Sequence, residues 1–287
     1  MKKVFALILA LVTLLILTAC KKKEAEQPPA PSAPVEKPAE ETPAAPVLKN
    51  AEDVTVEAEV EEGRAPGGEY TLPEELTSMT QWVKDGAVAL LAQQEDVRFY
   101  GVEGKELSPA LLCWEDSMAE FDWWYTTPHA IEPELWVYDV DEDGETEVVA
   151  NCYAASGTGV SLEYLYIVEK DAEGALTSYH LPWKELCEQV DDQLQTFSMN
   201  DGIYAALGRE LLDITADVSE FNAEGLKVCM GQVARYKQGE EGLECAFGVV
   251  VEGKGIAHLG AYVGVVEGTL RYEDGVFTLS DLHLRSN

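Results

Sequence analysis

The sequence predicts a mainly β or α+β fold: antiparallel sheets with two or three helices, in one domain behind a disordered tether. Three observations carry that expectation. Hydrophobic residues make up 46% of the 287-residue chain, enough for a substantial core. Beyond residue 97, short runs rich in β-branched and aromatic residues alternate with turn residues, and no regular βαβ alternation appears. Finally, seven of the thirteen prolines fall between Pro28 and Pro46, where proline's fixed φ and missing N–H oppose helix and sheet alike.

The chain opens with Lys2 and Lys3, then an apolar run from Val4 to Leu17 broken only by Thr13. That run is shorter than the roughly 20 residues of a comfortable membrane span and fits the core of a signal peptide over residues 1–19. It ends in Leu17-Thr18-Ala19-Cys20, which resembles the lipobox of bacterial lipoproteins. The resemblance implies cleavage before Cys20 and a thioether-linked diacylglycerol on that cysteine. Membrane lipid would then be a partner, holding the chain at the extracytoplasmic face of the cell membrane. An uncleaved N-terminal helix with an incidental cysteine is the plainer alternative. Lys21, Lys22 and Lys23 follow at once, where anionic headgroups attract basic residues.

Residues 20–72 are expected to form a lipid-anchored tether, Pro/Ala/Glu-rich at first and then acidic through Glu57, Glu59, Glu61 and Glu62. The folded domain is expected over residues 73–287. A first helix is predicted to start at Pro73-Glu74-Glu75, with Leu76, Met79, Val83, Val88 and Leu91 near helical spacing. Strands follow at residues 97–102 and 107–114, around a turn at Glu103-Gly104-Lys105, and then at 135–140, 146–153 and 160–168. A second helix fits Trp183 to Leu194, with Leu186, Val190 and Leu194 on one face, and a shorter one fits residues 201–212. The last sixty residues read as an antiparallel meander of strands at 226–236, 243–251, 259–266, 268–272 and 276–284. Asp274-Gly275 supplies its final tight turn.

Net charge is −33, from 53 acidic and 20 basic side chains. A phosphate backbone needs a basic face, so nucleic acid is excluded as a partner. Beyond Glu75 the chain still carries 39 acidic against 12 basic residues, so the acidity coats the domain itself.

The most informative segment is Asp139-Val140-Asp141-Glu142-Asp143-Gly144-Glu145-Thr146-Glu147. Carboxylates at loop positions 1, 3, 5 and 9 converge when a glycine at 6 allows a sharp turn, and hard oxygen ligands suit Ca²⁺. An EF-hand would need Glu at position 12, where Ala150 stands. The run resembles instead the calcium loops of FG-GAP and VCBS-type repeats, which join an entering strand (here Leu135–Tyr138) to a leaving one (Glu147–Ala150). That resemblance covers residues 131–169, about one repeat. It implies Asp139, Asp141, Asp143 and Glu147 as side-chain ligands of a structural Ca²⁺, with Glu145 through its carbonyl. A solvated acidic turn is the alternative. The wider run from Phe121-Asp122-Trp123 to Gly157-Thr158-Gly159-Val160 also resembles uncharacterised surface lipoproteins of clostridia-type bacteria, which implies no activity.

Other signals are weaker. Ser156-Gly157-Thr158-Gly159 lacks the Gly-Lys-Ser/Thr of a P-loop and the G-x-S-x-G of a serine hydrolase. His129, His180, His258 and His283 show no zinc spacing. Trp123, Trp124 and Tyr125 sit in an aromatic-rich stretch that would serve either as a ligand-stacking platform or as core. With Cys20 lipidated, Cys113, Cys152, Cys187, Cys229 and Cys245 remain. Five is odd, and Cys229 with Cys245 on successive strands is the most plausible pair. The expected function is a membrane-anchored surface lipoprotein whose Ca²⁺-stabilised domain binds an extracellular ligand or protein without catalysis. A glycosidase-like cell-envelope hydrolase using acidic residues, or a sensory partner of a membrane complex, are the alternatives.

Overall fold

The computed structural model describes residues 48–77, 88–102, 109–125, 131–221, 225–240, 242–254, 256 and 260–286. These residues hold seventeen strands and one α-helix, none of it a helix long and apolar enough to cross a membrane. The class is mainly β, as the sequence predicts.

In chain order, β1 (Val54–Glu57) and β2 (Glu59–Glu62) precede a four-stranded meander. The meander comprises β3 (Val88–Gln94), β4 (Val97–Val102), β5 (Ala110–Trp114) and β6 (Ser117–Phe121). Next come β7 (Glu134–Tyr138), β8 (Glu147–Gly157), β9 (Val160–Lys170), β10 (Leu176–His180) and α1 (Trp183–Asp191). A three-stranded meander follows, of β11 (Leu194–Met199), β12 (Gly202–Leu207) and β13 (Glu210–Asp213). The chain ends with β14 (Lys227–Gln238), β15 (Leu243–Glu252), β16 (Ala261–Glu273) and β17 (Val276–Ser286).

The large sheet runs β1-β17-β16-β15-β14-β9-β10-β2, with β8 on β9 and β7 on β8. β9 pairs with β8 along one edge; along the other it meets β14, in parallel, near its start and β10 near its end. One core lies where this sheet meets α1 and the three-stranded meander, built around Leu165, Ile167, Leu186, Val190, Phe247 and Phe277. A second core joins the four-stranded meander to β7–β9 through Phe99, Leu112, Trp123, Val148 and Tyr166.

α1 buries Leu186 and Val190, one turn apart, while Trp183 meets Phe247 edge-on at 5.0 Å. Leu194, expected on the same helical face, opens β11 instead. The Asp274-Gly275 turn forms as predicted, with both residues at positive φ (50° and 78°), the geometry of a tight hairpin between right-twisted strands. In β17 Phe277 and Leu279 are buried on odd positions but Leu282 and Leu284 on even ones. The irregularity opposite Glu267–Thr269, with Asp281 at φ 52°, resets the phase so that all four reach the core. The two strands expected at 259–266 and 268–272 are accordingly one strand with a bulge.

Three expectations are corrected. The tether does not extend to residue 72. Val54 and Val56 are buried opposite Leu279 and Phe277, and β2 pairs with β10. Further on, Arg64 and Glu120 exchange backbone hydrogen bonds, while Tyr70 and Leu72 pack against the cluster of Leu90, Tyr100, Val102 and Leu111. The acidic side chains in this stretch alternate with apolar ones that find a sheet edge; the Pro-rich segment and Cys20 lie outside the described residues. The predicted first helix is overturned where it can be seen. Val88–Gln94 is a strand paired with β4, and Leu76 forms a bridge to Leu90. Met79, Val83 and the Glu103-Gly104-Lys105 turn lie outside the described residues. The short helix over 201–212 is the β12–β13 hairpin, turning at Gly208 with φ 59°. In both places strand pairing outweighs local helical spacing.

The cysteine pairing is also corrected. Cys229 sits opposite Val250 on β15, and Cys245 opposite Tyr236. The five positions from Cys245 to Val250 span about 17 Å, beyond any disulfide. All five described cysteines are free.

Candidate metal centre and aromatic cleft

β7 and β8 form an antiparallel hairpin, with Tyr138 opposite Glu147, and residues 139–146 cross between them. Strands, not helices, flank the loop. Glu142 (φ 63°) and Gly144 (φ 95°) take left-handed conformations, which fold the loop back on itself. Its own carboxylates cap its backbone: Asp139 accepts from Gly144 N at 3.0 Å, Asp141 from Asp143 N at 3.2 Å, and Glu147 from Val140 N at 2.8 Å.

Oxygens of Asp139, Asp141 and Glu147 lie within 4.8 Å of one another. Two oxygens bound to one cation at about 2.4 Å can be at most about 4.8 Å apart, so the spacing of these three is compatible with a shared ion. Asp143 and Glu145 stand outside this group and are exposed. The Asp143 carboxylate turns back onto Glu145 N at 2.7 Å, the ordinary local bond of an Asx turn. Glu145, expected to contribute its carbonyl and not its carboxylate, also lines a cleft of 430 Å³ with Trp114, Glu115 and Lys170.

The electrostatics follow from the crowding. Burial, with the charges of Asp141, Asp143 and Asp139, pushes the Glu147 carboxyl from 4.5 to about 7, against the lowering effect of Val140 N–H. Burial and the same neighbours also raise Asp141, again opposed by a backbone hydrogen bond. Asp139 Oδ1 and Tyr138 Oη are buried without a hydrogen-bond partner among the described residues. Burial and the Glu147 charge lift Tyr138 to about 12. A hard divalent cation would satisfy the orphaned oxygen and offset the repulsion, and an all-oxygen donor set fits such an ion.

The aromatic trio divides. Residues 121–125 alternate, so Phe121, Trp123 and Tyr125 are buried whereas Trp124 is 57% exposed. Trp123 and Tyr125 are core, which corrects their assignment as ligand-binding residues. Phe121, Trp123, Tyr166 and His180 form a continuous ring stack with centroid spacings of 4.9, 4.5 and 4.8 Å. Trp123 Nε1 also donates to Ser178 Oγ at 3.0 Å. Trp124 is held out by its backbone: its N–H donates to Tyr166 Oη at 2.8 Å, and that hydroxyl donates to Trp124 O at 3.3 Å.

Trp124 then borders a cleft of 330 Å³ with Tyr164, Tyr166, Ser178, His180, Glu59, Glu61 and Asp122. Cross-strand register explains this grouping, because Glu59 lies opposite His180 and His180 opposite Tyr166. Burial holds His180 below the usual imidazole range, partly opposed by Glu59 at 3.5 Å, and its Nε2 has no partner among the described residues. These residues come from strands over a hundred positions apart. The only local hint was Tyr164 and Tyr166, two apart and so on one face of β9.

Comparison with protein-family models, curated proteins and solved structures finds no match.

Proposed function

We propose that the chain is a lipoprotein anchored through Cys20 at the extracytoplasmic face of the membrane, where its β domain, stabilised by Ca²⁺ in the β7–β8 loop, binds an extracellular ligand. The observation that supports the ion is the convergence of Asp139, Asp141 and Glu147 within 4.8 Å beside the orphaned Asp139 Oδ1. The basic start, short apolar run and lipobox-like Leu17-Thr18-Ala19-Cys20 support the anchor. The ion's role is structural: it fixes the hairpin by neutralising carboxylates that otherwise repel.

Calcium at about 100-fold over its dissociation constant adds about 2.7 kcal/mol, a melting rise of about 5–10 °C for a domain of this size. Adding calcium to the chelator-stripped chain tests this. Asp139→Asn with Asp141→Asn removes the rise, and an unchanged wild-type melting temperature sinks the ion site. Incorporation of labelled palmitate, lost in Cys20→Ser, tests the anchor.

A further inference from the structure

We propose that the cleft beside Trp124 binds an organic cation, either a small alkylammonium compound or the ammonium or guanidinium group of a basic peptide. This rests on the reading of the domain as a ligand-binding module and names the chemistry of its ligand.

Four observations lead there. Trp124 is exposed, and Tyr166 clamps its backbone at both N–H and C=O, so the point from which the ring projects is held before any ligand arrives. Tyr164 and the stacked Tyr166–His180 pair add further ring surface. The described lining includes three carboxylates, Glu59, Glu61 and Asp122, and no lysine or arginine. Arg64, outside the lining, forks onto Asp122 at 2.8 and 2.6 Å and reaches Glu61 at 3.2 Å, so one guanidinium answers two of the three carboxylates. Among the described residues Glu59 faces only the His180 imidazole, at 3.5 Å, and burial disfavours the charged form of that ring.

Aromatic faces carry negative quadrupole potential, and beside surplus carboxylates they favour a weakly hydrated cation over a neutral or anionic group. The chain uses the same pairing internally, with Lys170 Nζ 4.3 Å from the Trp114 ring centre and 2.6 Å from Glu115. Size decides between ligand classes. At 330 Å³ the cleft is near the small end of ligand sites, room for one amine head or one side chain and too little for several sugar rings. The acidity of the whole domain draws cations toward it.

The test titrates the full chain, in a non-ionic polyoxyethylene detergent, with choline, with choline's uncharged carbon isostere (a tert-butyl group in place of trimethylammonium), and with lysine- and arginine-containing tripeptides. Tryptophan emission and calorimetry report binding. The cations bind saturably, and the uncharged isostere is weaker by about tenfold. Trp124→Ala and Glu59→Gln, both at exposed positions, each weaken cation binding by a similar factor while the melting temperature holds. Choline binding above the tripeptides assigns a free small amine; the reverse assigns a peptide. Equal binding of choline and its isostere, or no binding of any probe, overturns the proposal. Calcium-dependent melting is read on the same sample. A calcium response without cation binding sinks this inference alone, whereas loss of the calcium response removes the ion-site reading.

Discussion

Replacing Glu147 with glutamine should stabilise the calcium-free protein and abolish its response to calcium, two effects of opposite sign from one atom. In the metal-free loop the carboxyl titrates at about 7 instead of 4.5, because burial and three aspartates oppose its charge. A carboxyl that holds its proton more tightly when folded lowers stability as pH rises through the window from 4.5 to about 7, and the full penalty remains above it. That displacement corresponds to at most about 3 kcal/mol, and screening by water at the loop reduces it to about 1–2 kcal/mol. Glutamine removes the charge and keeps an oxygen for Val140 N–H. Its amide also donates toward the aspartates that the carboxylate repelled. In chelator, above neutral pH, Glu147→Gln should therefore melt about 2–8 °C higher than wild type, and the fall in wild-type stability between mildly acidic and neutral pH should flatten. With calcium present the order should invert, since wild type gains a cation that the variant cannot hold as well. Thermal unfolding followed by circular dichroism across pH, with and without calcium, measures all of this. A variant that melts at or below wild type in chelator, or that keeps the wild-type calcium rise, would refute the reasoning.

Two further outcomes follow from the fold. Val54→Ala and Val56→Ala should each cost about 1–3 kcal/mol in denaturant unfolding, because each leaves a gap against β17; the values expected of a tether, near zero, would contradict the β1 pairing. Native cysteines should resist iodoacetamide near neutral pH, since burial pushes Cys113 to about 11 and Cys229 to about 12 and raises Cys152 and Cys245 strongly. Mass spectrometry of native against unfolded protein checks this, and rapid native labelling at Cys152 would be the contrary result.

Most of the C-terminal meander was legible because its pairing is local: successive strands joined by short turns leave their alternation and turn chemistry in contiguous residues. The Asp-x-Asp-x-Asp-Gly segment was legible for the same reason, since the loop's carboxylates and its glycine lie within nine residues. What spacing could not show was which carboxylates converge. Asp141 and Asp143 each accept from the backbone N–H two residues on, yet only Asp141 stays in the cluster, a difference of orientation that sequence does not record.

Elsewhere the decisive partners are distant. Val54–Glu62 reads as an acidic linker until β17 and β10 offer free edges to its alternate residues, and Val88–Gln94 reads as helix until β4 pairs with it. The Trp124 cleft depends on Glu59, Tyr164 and His180 joining Trp124 from distant segments; the aromatic run pointed to Trp124, whereas His180 looked like an isolated surface or core residue. By itself, then, the sequence determined the mainly β class, the local turns, the acidic surface and the position of the carboxylate-rich loop, all properties set by residues near one another along the chain. Tertiary structure alone decided the edges of the sheet, the buried half of the aromatic run and the cleft, because burial and cross-strand register depend on partners that local pattern does not specify.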